Sequence, residues 1–134
     1  MRPHAAAFAL ALIVLATTSC GGIVDPSKNQ TDTFTGTLSV GSQQQHQFSA
    51  SKTGEFTAKL TALTPTSTAL VGMAIVFASN DGACSATSLQ VNNFSSTLTS
   101  ALGGQILSGK YCLVVYDVGT LQTAQTYTIT LSHP

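Results

Sequence analysis

From Thr31 onward, apolar and polar residues alternate with a period of two, the pattern of strands buried on one face. Thr33-Phe34-Thr35-Gly36-Thr37-Leu38 opens the series, and Gly41-Ser42 supplies a turn. Within Gln44 to Ala50, His46, Phe48 and Ala50 share one face, while Gln45, Gln47 and Ser49 share the other. Gly54 opens the next strand, where Phe56, Ala58, Leu60 and Ala62 alternate with Glu55, Thr57, Lys59 and Thr61. Thr64-Pro65-Thr66-Ser67 reads as a loop. The run from Leu70 to Ala78 is apolar almost without interruption, which predicts a central strand covered on both sides. Asn80-Asp81-Gly82 ends it with strong turn chemistry.

The second half of the chain is less regular. Cys84 lies in an aperiodic stretch, followed by short candidate strands at Ser88–Val91 and Ser95–Leu102. Gly103-Gly104 and Ser108-Gly109 punctuate the approach to Lys110–Val118, where the alternation groups Cys112, Val114 and Tyr116 on one face and Tyr111 on the opposite one. Gly119 to Gln122 forms a turn, and Thr126 to Ser132 closes the chain with Tyr127, Ile129 and Leu131 inward. Beyond residue 19 no segment carries a helical stripe. About eight short strands separated by turns predict an all-β fold: an antiparallel β-sandwich, jelly-roll-like, following an N-terminal signal segment.

That segment has its own pattern. Met1 to His4 carries Arg2, Ala5 to Ala16 is an uncharged apolar run of 12 residues, and Thr17-Thr18-Ser19-Cys20-Gly21-Gly22 follows. Charge, apolar core and small residues in this order describe a signal peptide; the run is shorter than the roughly 20 residues a spanning helix needs. A cysteine directly after the small residues resembles the lipobox of bacterial lipoproteins, with Thr17 where that family usually places a branched aliphatic. The resemblance implies that Cys20 is acylated and becomes the first residue of the mature protein. The expected organisation is a lipoprotein signal peptide at 1–19, a lipidated Cys20 with a flexible tether at 20–30, and a β-sandwich domain at 31–134. Gly21 after Cys20 resembles the pattern of lipoproteins sent to the outer membrane, which implies a bacterial cell-envelope location on its periplasmic or outer surface.

Composition narrows the partners. Residues 20–134 carry Asp25, Asp32, Glu55, Asp81 and Asp117 against Lys28, Lys52, Lys59 and Lys110, a balance of −1 with no cluster of either sign. Nucleic acid is not an expected partner, because phosphate binding draws on a basic patch. Membrane contact is expected through the lipid anchor alone, since no basic face is present to hold anionic lipid. Ser and Thr account for 32 of these 115 residues, in keeping with solvated strand faces.

Three cysteines remain to be assigned. With Cys20 set aside for acylation, Cys84 and Cys112 are left to pair with each other in an oxidising compartment. A bond closing that 29-residue loop stabilises a small domain by roughly 3.5 kcal/mol on the chain-entropy model. No CxxC or HxxxH spacing accompanies these thiols, and Asp81 stands alone in its turn, so no metal or other cofactor is expected. No catalytic residue is nominated either. The chain has no G-x-S-x-G elbow, His46 is placed on an inward face beside Phe48, His133 is expected to be exposed, and the carboxylates are scattered. For ligand binding the candidate is Tyr111, an aromatic platform for sugar if it faces outward.

Several segments together resemble the bacterial pre-peptidase C-terminal domain. They are Phe34-Thr35-Gly36-Thr37-Leu38 with Gly41-Ser42, the strand ending in Phe48, Leu107-Ser108-Gly109-Lys110-Tyr111 leading to Val114-Val115-Tyr116, and Tyr127-Thr128-Ile129-Thr130-Leu131. The similarity spans roughly Phe34 to Leu131. It implies a jelly-roll-like sandwich serving as a non-enzymatic binding or accessory module, with an envelope protein or polysaccharide as ligand. The other expectation is a structural or assembly subunit of an envelope complex, which an exposed apolar patch would favour.

Overall fold

A computed structural model describes residues 25–99 and 102–134; the signal segment, Cys20 and the first part of the expected tether lie outside the described residues. After a 3-10 turn at Pro26–Lys28 come eight strands: β1 Gln30–Leu38, β2 Gln43–Ala50, β3 Gly54–Thr64, β4 Val71–Ala78, β5 Cys84–Ser95, β6 Leu102–Ile106, β7 Gly109–Tyr116 and β8 Gln125–His133. They form two four-stranded sheets, ordered β1-β8-β3-β6 and β2-β7-β4-β5, with every neighbouring pair antiparallel. Successive strands from β1 to β8 alternate between the sheets except at β4 and β5, which are neighbours in one sheet, and this is the eight-stranded jelly-roll order. The antiparallel β-sandwich is as the alternation predicts.

The inward sets follow from the period-two pattern. Phe56, Leu60, Ile129 and Leu131 from one sheet meet Phe48, Met73, Ile75 and Leu113 from the other in one buried cluster. Alternation in β3 is interrupted once. A register shift between Leu60 and Ala62 against β8 reverses the phase, so Leu63 is buried and Ala62, expected inward, is exposed. Strand β4 is buried on both sides, as its apolar run predicts. Val71, Met73 and Ile75 enter the main core, and Ala74 and Val76 form a second small cluster with Cys112 and Val114 on the outer face of the sheet.

Four further expectations change. The segment from Cys84 to Ser95 is a single bulged edge strand, not an irregular stretch followed by a short strand, with register shifts against β4 in three places. Only Leu102 of the expected Ser95–Leu102 strand belongs to β6, while Gly103-Gly104 lies inside β6 beside Phe56 and Thr57 of β3 and is not a turn. A Cβ on Gly104 would stand 3.3 Å from the Phe56 ring, so a residue without one lets β6 settle over that side chain. The expected tether is ordered at its end: Asn29 Nδ2 donates to the Glu55 carbonyl at 2.9 Å, and β1 begins at Gln30. His133 is not exposed. It is 2% exposed, packs against Phe48, and its Nε2–H donates to Asp32 Oδ2 at 3.0 Å. The Gln30 amide and the His133 bond hold the Asp32 carboxyl below the usual carboxylate range.

Register also sorts the ends of the sandwich. Gln30 pairs with His133 and Ala50 with Gly109, so the start of β1, the end of β8 and the β2–β3 and β6–β7 connections share one end. Gln43 and Gly72 both pair with Tyr116, which places Tyr116 at the opposite end.

Candidate functional site

The outer face of the β2-β7-β4-β5 sheet is built by three features. The first is the apolar strip of Ala74, Val76, Cys112 and Val114, contributed by the two central strands. The second is β2, an edge strand whose outward residues Gln43, Gln45 and Gln47 stand beside that strip. The third is the Cys84–Cys112 disulfide, with its Cα atoms 5.9 Å apart. Cys84 begins β5 and Cys112 lies in β7, with β4 between these strands. Two strand spacings amount to roughly 9.5 Å. The start of β5 therefore bends inward over β4, and the sheet face becomes a cleft.

That cleft has a volume of about 410 Å³. Gln43 and Gln45 form one wall, Cys84, Ser85, Ala86 and Ser88 the other, and Ala74, Val76 and Val114 the floor. Tyr116 closes one end and also borders a second cleft of about 420 Å³ with Leu70, Asn93, Phe94, Val118 and Thr120. None of these lining side chains carries a charge.

Tyr116 is fixed at both ends of its side chain. A Cβ on Gly72 would overlap the Tyr116 ring, so the ring lies across the β4 backbone at a position only glycine can supply. Its hydroxyl donates to Asn93 Oδ1 on β5. Burial raises the Tyr116 phenol above its ordinary pKa and keeps it a donor. Asp117, the next residue, organises the turns at this end. One carboxylate oxygen accepts from the Gly41 amide at 2.8 Å, and the other accepts from Gly119 at 2.8 Å, Thr120 at 3.0 Å and Leu121 at 3.2 Å. The Gly41 amide foremost, with those of Leu121, Gly119 and Thr120, holds this carboxyl below the usual range.

The sequence-nominated residues fall as follows. Cys84 and Cys112 are bonded to each other, as expected. Tyr111 cannot serve as a platform: it is 2% exposed, stacks on Phe48 in the core, and donates its hydroxyl to the Leu107 carbonyl at 2.9 Å. The face assignment of β7 is thereby reversed. Tyr111, Leu113 and Val115 point into the main core, and Cys112, Val114 and Tyr116 point to the outer face. The aromatic that both clefts share is Tyr116, and Phe94 lines the second cleft beside it.

His46 is inward and half-buried. It stacks on Phe34 with ring centroids 4.8 Å apart, and its Nε2 lies 2.7 Å from the Tyr127 hydroxyl. Burial lowers its pKa and favours the neutral imidazole. Asp81 accepts from the Ser79 hydroxyl and from the Ala83 amide at 3.4 Å, the bonds of a turn. Among the described residues, no group of three or more His, Cys, Asp or Glu is placed to hold a metal ion.

Tyr116, Gly72 and Asn93 escaped sequence reasoning, since their meeting depends on the pairing of three strands. Asp117-Val118-Gly119 did carry a local signal, the Asp two residues before a turn glycine. No protein-family model matches the chain, and no curated protein matches its sequence.

Proposed function

We propose that this protein is a non-enzymatic, lipid-anchored binding or accessory module of the bacterial cell envelope. Its ligand is an envelope protein or polysaccharide, held on the outer face of the β2-β7-β4-β5 sheet. The observation that carries this reading is the uncharged groove over Tyr116, whose amides and hydroxyls, standing over a closely covered apolar floor, offer contact surface without an acid, a base or a nucleophile activated by one. Cys20 supplies the anchor by the lipobox resemblance, and the start of β1 lies at the end of the sandwich opposite Tyr116. A domain tethered this way holds the Tyr116 end outward from its membrane.

A second reading, a structural or assembly subunit, draws on Phe94 and Leu98, exposed by 70% and 82% near the same end. Fractionation and assay test the proposal together. Cys20→Ser is expected to leave unprocessed precursor and to abolish detergent partitioning of any mature form. Hydrolase profiling of the purified protein, with and without divalent ions, is expected to show no turnover. Turnover that His46→Gln abolishes in a still-folded protein overturns the non-enzymatic reading.

A further inference from the structure

The two clefts share the Tyr116 ring, with Phe94 exposed beside it in the second, and their chemistry selects among ligands. We infer that the groove binds a neutral glycan chain, with Tyr116 as the stacking platform. This rests on the proposal that the outer face of the β2-β7-β4-β5 sheet is the binding surface.

A sugar ring presents C–H groups on its flat faces and hydroxyls around its edge. It is matched by an aromatic face with amide and hydroxyl groups beside it. Tyr116 supplies the face. Its ring rests across Gly72 and its hydroxyl is held by Asn93, so little rotamer freedom remains to be lost on binding. Gln43 and Gln45 flank it with side-chain amides, each both donor and acceptor, and Ser85 and Ser88 face them with hydroxyls. Asn93 accepts the Tyr116 proton through its oxygen and keeps its NH₂ group for a ligand.

Charge decides the class. Uronates and sulfated sugars draw on Lys or Arg, and no lining side chain of either cleft is charged. The neighbouring carboxylate of Asp117 is occupied by four backbone amides. Shape decides the mode. Tyr116 stands between clefts of about 410 and 420 Å³, so a chain passes over the ring with residues on both sides. A terminal sugar would need a closed pocket instead.

Affinity electrophoresis and calorimetry on the full chain, purified in detergent, test this with a neutral β-glucan, a mannan and a xylan against polygalacturonate and a sulfated glycan. The expected result is binding to a neutral polymer and none to the anionic ones. Tyr116→Ala is expected to weaken that binding about tenfold or more, as truncating an anchoring aromatic does. Gln45→Ala, at an exposed position that leaves the fold intact, is expected to weaken it severalfold, and Thr35→Ala on the other sheet to leave it unchanged. Preference for an anionic glycan, binding to none of the neutral polymers, or neutral binding that both groove variants leave intact overturns the assignment. A photoreactive residue in place of Gln45 separates the two failures. Crosslinking to a protein in intact cells without glycan binding overturns the glycan and leaves the face standing; neither crosslinking nor glycan binding overturns both.

Discussion

The two outer faces of this sandwich are made by the same period-two rule and end up with different chemistry. On the β1-β8-β3-β6 sheet, Thr31, Thr33, Thr35 and Thr37 stand opposite Ser132, Thr130, Thr128 and Thr126. Threonine combines a β-branched carbon, suited to the pleated surface, with a hydroxyl for water. On the β2-β7-β4-β5 sheet, the central strands keep Ala74, Val76, Cys112 and Val114 on the outside, and the start of β5 is drawn over them by the disulfide. An apolar strip on an outer face, closely covered and walled by amides and hydroxyls with a fixed tyrosine at its end, marks the face on which we propose that the ligand is held.

The largest expected effect comes from opening that groove at its clip. Cys84→Ser or Cys112→Ser should lower stability by about 2–5 kcal/mol, measured by urea unfolding under oxidising conditions. The loss should vanish when the unsubstituted protein is reduced and used as the reference. Thiol labelling of the denatured, unreduced protein should find neither of these cysteines reactive.

Adjacent residues of β8 sharpen the contrast between the inside and the threonine face. Ile129 is fully buried, and Ile129→Ala should cost about 2–5 kcal/mol. Thr130→Ala, one residue on and opposite Thr33, should stay within about 0.5 kcal/mol of the parent. A large cost at Thr130 would mean that its face is covered.

A smaller effect concerns the turns beside Tyr116. The folded-state pKa of Asp117 lies below its unfolded value, which is about 3.9. Its carboxylate therefore stabilises the fold above that pH, and the contribution is lost as pH falls through the folded value. Asp117→Asn should lower Tm at pH 7, and thermal melts of the two proteins should converge as the pH drops below about 4.

Sequence pattern revealed the strands where one face is solvated and lost its sense where neither is. In β1, β2 and β8, polar residues at every second place identify the inside without further help. Strand β7 runs Tyr111-Cys112-Leu113-Val114-Val115-Tyr116, apolar at every place, so the alternation says that two faces exist but not which is inner. A one-residue change of phase exchanges the two faces, which is why Tyr111, the platform the alternation suggests, is in the core and Tyr116 is outside. Strand β5 was obscured by its bulges, which break the period, and by its run of Ser, Thr and Asn at a sheet edge. His133 sits near the chain end, where exposure is the ordinary expectation; Asp32 and Phe48, distant in sequence, bury it. The cysteine pairing was legible by arithmetic, whereas the cleft it shapes required the strand order.

We propose that the groove face, and not the threonine face, meets the ligand. Its most direct test places one photoreactive residue at a time on each face of the full chain, in place of Gln45 and in place of Thr35, and irradiates intact cells. An adduct is expected from the Gln45 position, competed by soluble ligand, and none from the Thr35 position. An adduct formed from Thr35 alone would contradict it.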